Sequence, residues 1–313
     1  MSAEPAVSVE ELTHRYGDRE ALRQVSFTVP PGEIFGLLGP NGGGKTTLFK
    51  ILSTSIVPTA GQARIFGADV VSSAALVRRQ IGVVFQAPSL DKKLTAAENL
   101  RHHGHLYGLR GAALRGRADE MLARVGLADR VGDRVERLSG GMQRRVELAK
   151  GLLPQPRLLL MDEPSTGLDP GARRDLWDYL IQLRERDGLT VLLTTHLMDE
   201  ADRCDRIAIL HHGQMVALGT PKELTAAVGD EVVYLETQFV ERIAREIQAN
   251  WQLQATVLDN SVRIERHNAH EIVAQLFQAF PGAIDSVTVR RPSLEDVFIQ
   301  RTGHRFWETP AAE

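Results

Sequence analysis

Between Gly39 and Thr47 the chain reads Gly-Pro-Asn-Gly-Gly-Gly-Lys-Thr-Thr, so Gly39, Gly44, Lys45 and Thr46 satisfy the spacing G-x-x-x-x-G-K-[ST]. An apolar run, Ile34 to Leu38, precedes this stretch, and Leu48, Phe49, Ile51 and Leu52 follow it at helical spacing. Strand, glycine loop and helix in that order is the context in which such a loop works. With few side chains in the way, successive backbone N–H groups close around an anion, and the positive end of the next helix points at the same place. The natural guest is a triphosphate. Lys45 reaches its β and γ phosphates as a point charge, and the Thr46 hydroxyl ligates Mg²⁺. The whole segment, Gly39, Asn41, Gly42, Gly43, Gly44, Lys45, Thr46 and Thr47, is the candidate nucleotide-binding loop. A glycine-rich turn that binds nothing is the alternative, and it leaves the lysine and the hydroxyl without a reason.

A chain of 313 residues exceeds one average domain and suggests two. Hydrophobic content of 43% with 25% charged residues fits a globular protein with a sizeable core. The net charge of −3 offers no sign of a nucleic-acid partner, which a strongly basic balance would give. One cysteine, Cys204, excludes an internal disulfide and fits a reducing compartment. No run approaches the roughly 18 apolar residues of a membrane helix, and the first ten residues hold two glutamates and no basic cluster, so no secretory signal is expected. The expectation is a cytosolic polypeptide whose membrane role, if any, comes through a partner.

Along the chain, residues 7 to 29 alternate around Tyr16-Gly17-Asp18 and read as two antiparallel strands. Tyr16 stands where an aromatic ring could stack on a purine, although a tyrosine in a hairpin is more often packing. A strand near Ala63 to Phe66, a helix at 74 to 80 and a buried strand from Ile81 to Phe85, ending at Gln86, come next. From Leu94 to Arg130 the pattern is helical and polar; Thr95-Ala96-Ala97-Glu98 fits a capping box, and Gly108 and Gly126 punctuate what reads as a separate helical lobe. Leu138-Ser139-Gly140-Gly141-Met142-Gln143 opens a further helix, and its serine and glycines form either a second anion site or a plain N-cap. Leu158 to Met161 is apolar throughout, as expected of a strand buried on both faces of a parallel sheet, and it ends in Asp162-Glu163-Pro164. Two carboxylates at the carboxyl end of a buried strand stand where open α/β sheets bind ligands, and without a metal or reacting group they cost too much there. Leu176, Leu180 and Leu183 mark an amphipathic helix. Val191 to Thr195 is another buried strand, ending at His196, and Ile207 to Leu210 a further one.

Composition changes at Gly229-Asp230, the expected domain boundary. Beyond it the pattern is strand (Val232 to Glu236), helix (Val240, Ile243, Ile247), two strands about Asp259-Asn260, helix (Ile272, Val273, Leu276, Phe277), strand (Ile284, Val287, Val289) and a last helix from Ser293 to about Arg301. The order βαββαβ is that of a small α+β, ferredoxin-like domain. It carries no cluster with evident chemistry, and His267 and His270 read as surface residues rather than metal ligands.

Taken together, the phosphate loop, the Leu-Ser-Gly-Gly-Met signature, the Asp-Glu-Pro strand end and His196 resemble the nucleotide-binding subunit of an ABC transporter, over residues 7 to about 223. The tail, with Pro292-Ser293-Leu294-Glu295-Asp296-Val297-Phe298, resembles the C-terminal extension of the daunorubicin-resistance, ABC-2 exporter type. The implied fold is α/β: a P-loop NTPase cassette with a mixed-sheet core, an antiparallel β subdomain and a helical subdomain at about 90–150, spanning residues 1–228, followed by an accessory or regulatory α+β domain at 229–313. The family usually has alanine or serine where this chain has Gly43, and the extra glycine is expected to loosen the loop.

The resemblance also implies roles. Tyr16 stacks on adenine, and Lys45 and Thr46 hold phosphates and Mg²⁺. Asp162 and Gln86 contact the metal, and Glu163 orients or deprotonates the attacking water. His196 hydrogen-bonds the γ-phosphate. Asp169, in Ser165-Thr166-Gly167-Leu168-Asp169, crosses the subunit interface, while Ser139, Gly140 and Gly141 meet the γ-phosphate bound to the opposite subunit. A working ATPase then needs two copies arranged head to tail, or one copy and a similar partner, together with a separate transmembrane permease. The segment from Ala87 to Leu109, with Leu90, Leu94 and Tyr107, is where the family receives the permease. The rival reading is a soluble ABC ATPase acting on DNA or ribosomes. Such proteins usually carry a long coiled coil or two cassettes, whereas here the interval from Lys45 to Ser139 holds a short lobe and the loop motif occurs once.

Overall fold

The structure is a computed structural model that describes residues 4–266 and 268–307. His267 and the side chain of His270 lie outside the described residues. The described residues form two compact units that divide between Met215 and Val216.

Alternating apolar residues build β1 (Val7–Tyr16) and β2 (Arg19–Val29), antiparallel, with Val7 opposite Val29 and Tyr16 opposite Arg19. Pro30, Pro31 and Gly32 stop the second strand, and β3 (Ile34–Leu38) follows with all its residues buried. Next come α1 (Lys45–Leu52), β4 (Ala60–Ile65), β5 (Ala68–Asp69), α2 (Ala74–Gln80) and β6 (Ile81–Val84). The helical lobe contains α3 (Ala96–Leu106), α4 (Gly111–Arg124) and α5 (Gly140–Leu152), with two one-turn 3-10 segments between the last two. The capping box of α3 forms in full: Glu98 N donates to Thr95 Oγ1 at 3.2 Å and Thr95 N donates to Glu98 Oε2 at 2.8 Å. The chain then runs through β7 (Leu158–Asp162), α6 (Pro170–Asp187), β8 (Thr190–Thr195), the short α7 (Met198–Ala201), β9 (Arg206–His211) and β10 (Gln214–Gly219).

Two sheets organise the first unit. One is antiparallel, in the order β2-β1-β4-β5. In the other, β9, β3, β8, β7 and β6 lie side by side and parallel, with Leu38 level with Thr195, Asp162 with Thr194 and Val84 with Met161. Strands buried on both faces cannot alternate, hence the unbroken apolar runs at 34–38 and 158–161. Because the strands run parallel and nearly level, the phosphate loop, Gln86, Asp162-Glu163 and His196 all leave the same edge of one sheet. That edge is the position at which open α/β sheets place their ligands.

The second unit opens with α8 (Pro221–Ala226), which packs on the unit's last helix, α11 (Leu294–Thr302). Between them come β11 (Glu231–Glu236), α9 (Val240–Trp251), β12 (Ala255–Leu258), β13 (Ser261–Arg266), α10 (His270–Ala279) and β14 (Ser286–Arg290). The four strands are antiparallel in the order β12-β13-β11-β14, the ferredoxin-like arrangement. Ile243 and Ile247 of α9 and Ile272 and Leu276 of α10 bury one face of the sheet, against Val233, Leu235, Val262 and Ile264. The alternate residues Tyr234 and Arg263 point to the other face, where they meet Asp296 of α11. Tyr234 Oη donates to Asp296 Oδ1 at 2.6 Å, and Arg263 Nε donates to the same oxygen at 3.1 Å. Arg263 and Asp296 are 1% and 0% exposed, so this charged pair is part of the unit's interior.

Candidate functional site

Gly44 caps α1 with φ +105, a left-handed backbone that a side chain would strain, and its following N–H groups start the helix that faces the pocket. Gly43 behaves otherwise than expected. Its amide donates to Pro40 O at 3.1 Å and its carbonyl accepts from Gly213 N at 3.1 Å, so the loop is pinned here rather than loosened. A methyl group at this position would stand 3.0 Å from Leu210 O and 3.1 Å from Pro40 O, a crowded place for any larger residue.

Lys45 is buried, and its Nζ donates to Gly39 O at 2.8 Å and Pro40 O at 3.0 Å. Burial pushes its pKa down, while the carboxylates of Glu163 and Asp162 oppose that shift. The nearest carboxylate oxygen, Glu163 Oε1, is 4.0 Å away. The lysine's charge is therefore held inside the loop within reach of the acid at the end of β7.

Glu163 adopts φ 43, a left-handed conformation uncommon for a residue with a side chain and one that clusters at functional sites. Its backbone N donates to Thr194 O at 3.2 Å and to Thr194 Oγ1 at 3.0 Å. Its Oε2 accepts from Gln86 Nε2 at 3.1 Å and from Thr166 Oγ1 at 3.2 Å, and its Oε1 lies 3.2 Å from His196 Nδ1. Asp162, buried one residue earlier, accepts from Thr194 Oγ1 at 2.6 Å. Desolvation raises its pKa, with the Thr194 hydrogen bond opposing.

A pocket of about 400 Å³ gathers Tyr16, Asn41, Gly42, Gly43, Gly44, Lys45, Thr46, Thr47, Gln86 and Glu163. Tyr16 stacks edge-on against His14, with ring centroids 4.6 Å apart, and leaves about half its surface free. Arg19, its cross-strand neighbour in the hairpin, lines the same pocket with its guanidinium beside Gly42. In the sequence, the one sign of Arg19's role is its place three residues after Tyr16 across a tight turn.

A second residue the sequence did not single out holds the site together. The buried guanidinium of Arg144, on α5, donates to Phe85 O at 2.7 Å, Pro164 O at 2.6 Å and Asp162 O at 3.4 Å. One side chain thus fixes the backbone next to Gln86 and on both sides of Glu163. Three residues on, Glu147 accepts from Ser89 N at 2.6 Å while Lys150 Nζ donates to Ser89 O at 3.0 Å, bracing the loop after Gln86.

Ser139, Gly140, Gly141 and Asp169 do not line the pocket. Ser139 caps α5, its Oγ accepting from Met142 N at 3.3 Å, and Asp169 caps α6, its Oδ1 accepting from Ala172 N at 3.0 Å. The two helix starts touch. A Cβ on Gly141 would stand 2.9 Å from the Ala172 Cβ, which explains glycine at that position.

Oxygen donors such as the Thr46 hydroxyl, the Asp162 carboxylate and the Gln86 amide are the set that Mg²⁺ accepts beside a phosphate. Among the described residues no three His, Cys, Asp or Glu side chains gather to hold a metal by themselves.

Comparison with known proteins agrees with this geometry. Residues 22–166 match the family model described as ABC transporter. The daunorubicin resistance ATP-binding protein DrrA3 of Streptomyces coeruleorubidus is 38% identical over 308 residues, covering 96% of this chain and 97% of that protein. The Nod factor export ATP-binding protein I of Rhizobium sp. (strain N33) is 36% identical over 311 residues, covering 95% of this chain and 97% of that one. Among solved structures, the dimeric post-hydrolysis cassette MJ0796 bound to ADP and Pi superimposes with a TM-score of 0.62 at 31% identity, over 68% of this chain and 98% of that chain. The cbiO1 protein of Clostridium perfringens, part of the transporter complex cbiONQ, gives 0.67 at 26% identity, over 80% of this chain and 96% of that chain. The fold and the pocket are those of an ABC-type ATPase. The chain belongs to the ATP-binding subunits of ABC exporters, in the branch that contains the daunorubicin-resistance proteins. Its nucleotide is ATP, and its relatives are exporter subunits rather than ribosome- or DNA-acting ATPases. Among the described residues no helix is long and apolar enough to cross a membrane.

Proposed function

We propose that residues 1–228 form a nucleotide-binding domain that closes head to tail on a second cassette around ATP and Mg²⁺, and that this closure powers a separate membrane permease exporting a drug-like, lipid or other hydrophobic substrate. The permease seats the protein on the cytoplasmic face of the membrane. The observation that carries the reading is the division of labour within one chain. Lys45, Gln86 and Glu163 line one pocket, with His196 against Glu163, while Ser139, Gly140 and Gly141 present a capped helix start outside it.

Phosphoryl transfer leaves little covalent work for a protein, so rate comes from placing water and neutralising charge on the terminal phosphate. Lys45 and the loop amides bind the phosphates, and Tyr16 covers the adenine. Thr46, Asp162 and Gln86 hold the metal, which supplies charge neutralisation when bound. Glu163, steadied by Gln86 and Thr166, orients and deprotonates the attacking water, and His196 donates to the γ-phosphate. Ser139, Gly140 and Gly141 complete the partner cassette's site, with Asp169 at the interface. Closure thereby becomes a condition of hydrolysis, and the cycle can bias a membrane partner between two states.

A groove of about 1080 Å³ is lined by Phe85, Tyr107 and Leu109 together with the cations of Arg78, Arg79 and Lys150, and it is the proposed seat of the permease. Of the three residues expected there, Tyr107 lines it and Leu90 and Leu94 do not. Residues 229–313 are proposed as a regulatory or dimer-stabilising module. Deleting them with no effect on either ATPase or transport would remove that assignment.

The deciding experiment is an ATP titration and light-scattering measurement on the full chain and on Lys45→Ala. Tight ATP binding with ATP-dependent dimers in the parent, and loss of both in the variant, is expected. Unchanged affinity in Lys45→Ala, or turnover by a strictly monomeric protein, overturns the reading.

A further inference from the structure

Glu200, on α7 four residues after His196, is a carboxylate that none of the roles above employs, and it is 2% exposed. Burying a carboxylate is expensive unless its oxygens are well occupied, so the identity of its partners carries information. Its Oε1 accepts from Ser165 Oγ, and its Oε2 accepts from Thr195 Oγ1 at 2.6 Å. Thr195 Oγ1 in turn accepts from Leu197 N at 3.0 Å, tying together the residues on either side of His196. Burial raises the pKa of Glu200, opposed by the Thr195 hydrogen bond and the charge of Arg173.

The two oxygens therefore hold two different segments. One is the loop from Ser165 to Asp169, which ends at the cap of α6. The other is the end of β8 and the turn that carries His196. On the pocket side the same segments are joined a second time through Glu163, whose Oε2 accepts from Thr166 Oγ1 and whose Oε1 faces His196 Nδ1. A displacement of the Ser165–Asp169 loop thus cannot leave His196 in place without breaking a buried hydrogen bond.

We propose that Glu200 is a positioning residue for hydrolysis: through Ser165 and Thr195 it couples the Ser165–Asp169 loop to His196, so that contact of that loop with a second copy of the chain sets the histidine's position at the terminal phosphate. The proposal rests on the ATPase reading above. Glu200 does not line the nucleotide pocket. It acts through the geometry of His196, leaving the phosphate loop and the affinity for ATP alone.

The test uses the full chain, with steady-state ATPase and a fluorescent-ATP titration measured in parallel on the parent, Glu200→Gln, Glu200→Asp, Ser165→Ala, His196→Ala and the double variant Glu200→Gln/His196→Ala. Glu200→Gln and Ser165→Ala are expected to lower kcat about tenfold with ATP affinity within about twofold of the parent, the scale of a misplaced catalytic group. Glu200→Asp should recover part of the rate. Since Glu200 works through His196, the double variant should be no slower than His196→Ala alone. Parental kcat in folded Glu200→Gln, or losses that multiply in the double variant, overturns the proposal. If Glu200→Gln does not fold, Ser165→Ala and its double with His196→Ala carry the same two criteria. A parent that neither binds nor hydrolyses ATP sinks the functional reading instead. A parent that hydrolyses ATP while both Glu200→Gln and Ser165→Ala keep its rate sinks only the coupling.

Discussion

Gln86 Nε2 donates to Glu163 Oε2 at 3.1 Å, joining the end of β6 to the end of β7 across the floor of the pocket. The amide holds one oxygen of the carboxylate and leaves the second toward Lys45 and His196, an arrangement suited to the role of base proposed for Glu163.

In Glu163→Gln the acceptor pair becomes one acceptor and one donor, and the proposed base is removed. General-base removal is expected to lower kcat by about a hundredfold or more. ATP binding should stay near the parental value and closed dimers should accumulate with ATP, both readable by titration and light scattering. Turnover at the parental rate would show that another group activates the water.

Arg19 places a guanidinium over Gly42 from the hairpin that also carries Tyr16. Arg19→Ala is expected to weaken ATP binding by about 1 kcal/mol, roughly fivefold in Kd, as for one charge-assisted contact at a partly wet site. The loss should shrink as salt is raised, because exposed charges are screened. A titration at two ionic strengths checks both statements.

Arg144→Ala removes three hydrogen bonds to backbone carbonyls and leaves Phe85 O, Pro164 O and Asp162 O facing a cavity. The expected loss is about 3 kcal/mol of stability, measurable by urea denaturation, together with a fall in kcat as Gln86 and Glu163 drift apart. Arg144→Lys should recover little of it, since an ammonium cannot span three carbonyls in the plane of a guanidinium.

In the second unit, burial pushes the Asp296 carboxyl up, but hydrogen bonds from Tyr234 and from Ser293, with the charge of Arg290, outweigh it and hold the pKa below the usual carboxylate range. A depressed folded-state pKa means stability that is fully present above the ordinary carboxylate pKa and is lost as pH falls through the lower, folded value. Acid unfolding of residues 216–313 is therefore expected to begin below about pH 4 and to shift upward in Asp296→Asn. That variant also takes from the buried Arg263 guanidinium one of its two carboxylate partners, leaving Glu265, at a cost on the order of 1–3 kcal/mol. Circular dichroism against pH for the parent and Asp296→Asn checks the sign.

The parts of this protein that could be read from the sequence are those written in neighbouring residues. The phosphate loop, the unbroken apolar runs of β3 and β7 and the capping box at Thr95 each need a span of nine residues or fewer, so local chemistry declares them. The βαββαβ order of the second unit followed from periodicity in the same way. Arg144, Glu200 and the Arg263–Asp296 pair gave no such sign, because an arginine on a helix or in a strand looks solvent-facing until its distant partner is known. Gly43 misled for a related cause: the carbonyls of Leu210 and Pro40 and the amide of Gly213 that confine it come mostly from the far end of β9.

The seating of Gly141 against Ala172 makes the amino ends of α5 and α6 a single plate, with Ser139 on one half and Asp169 on the other. Neither helix start can shift without the other, so any bulkier residue at 141 should prise the plate apart and weaken closure of the proposed dimer.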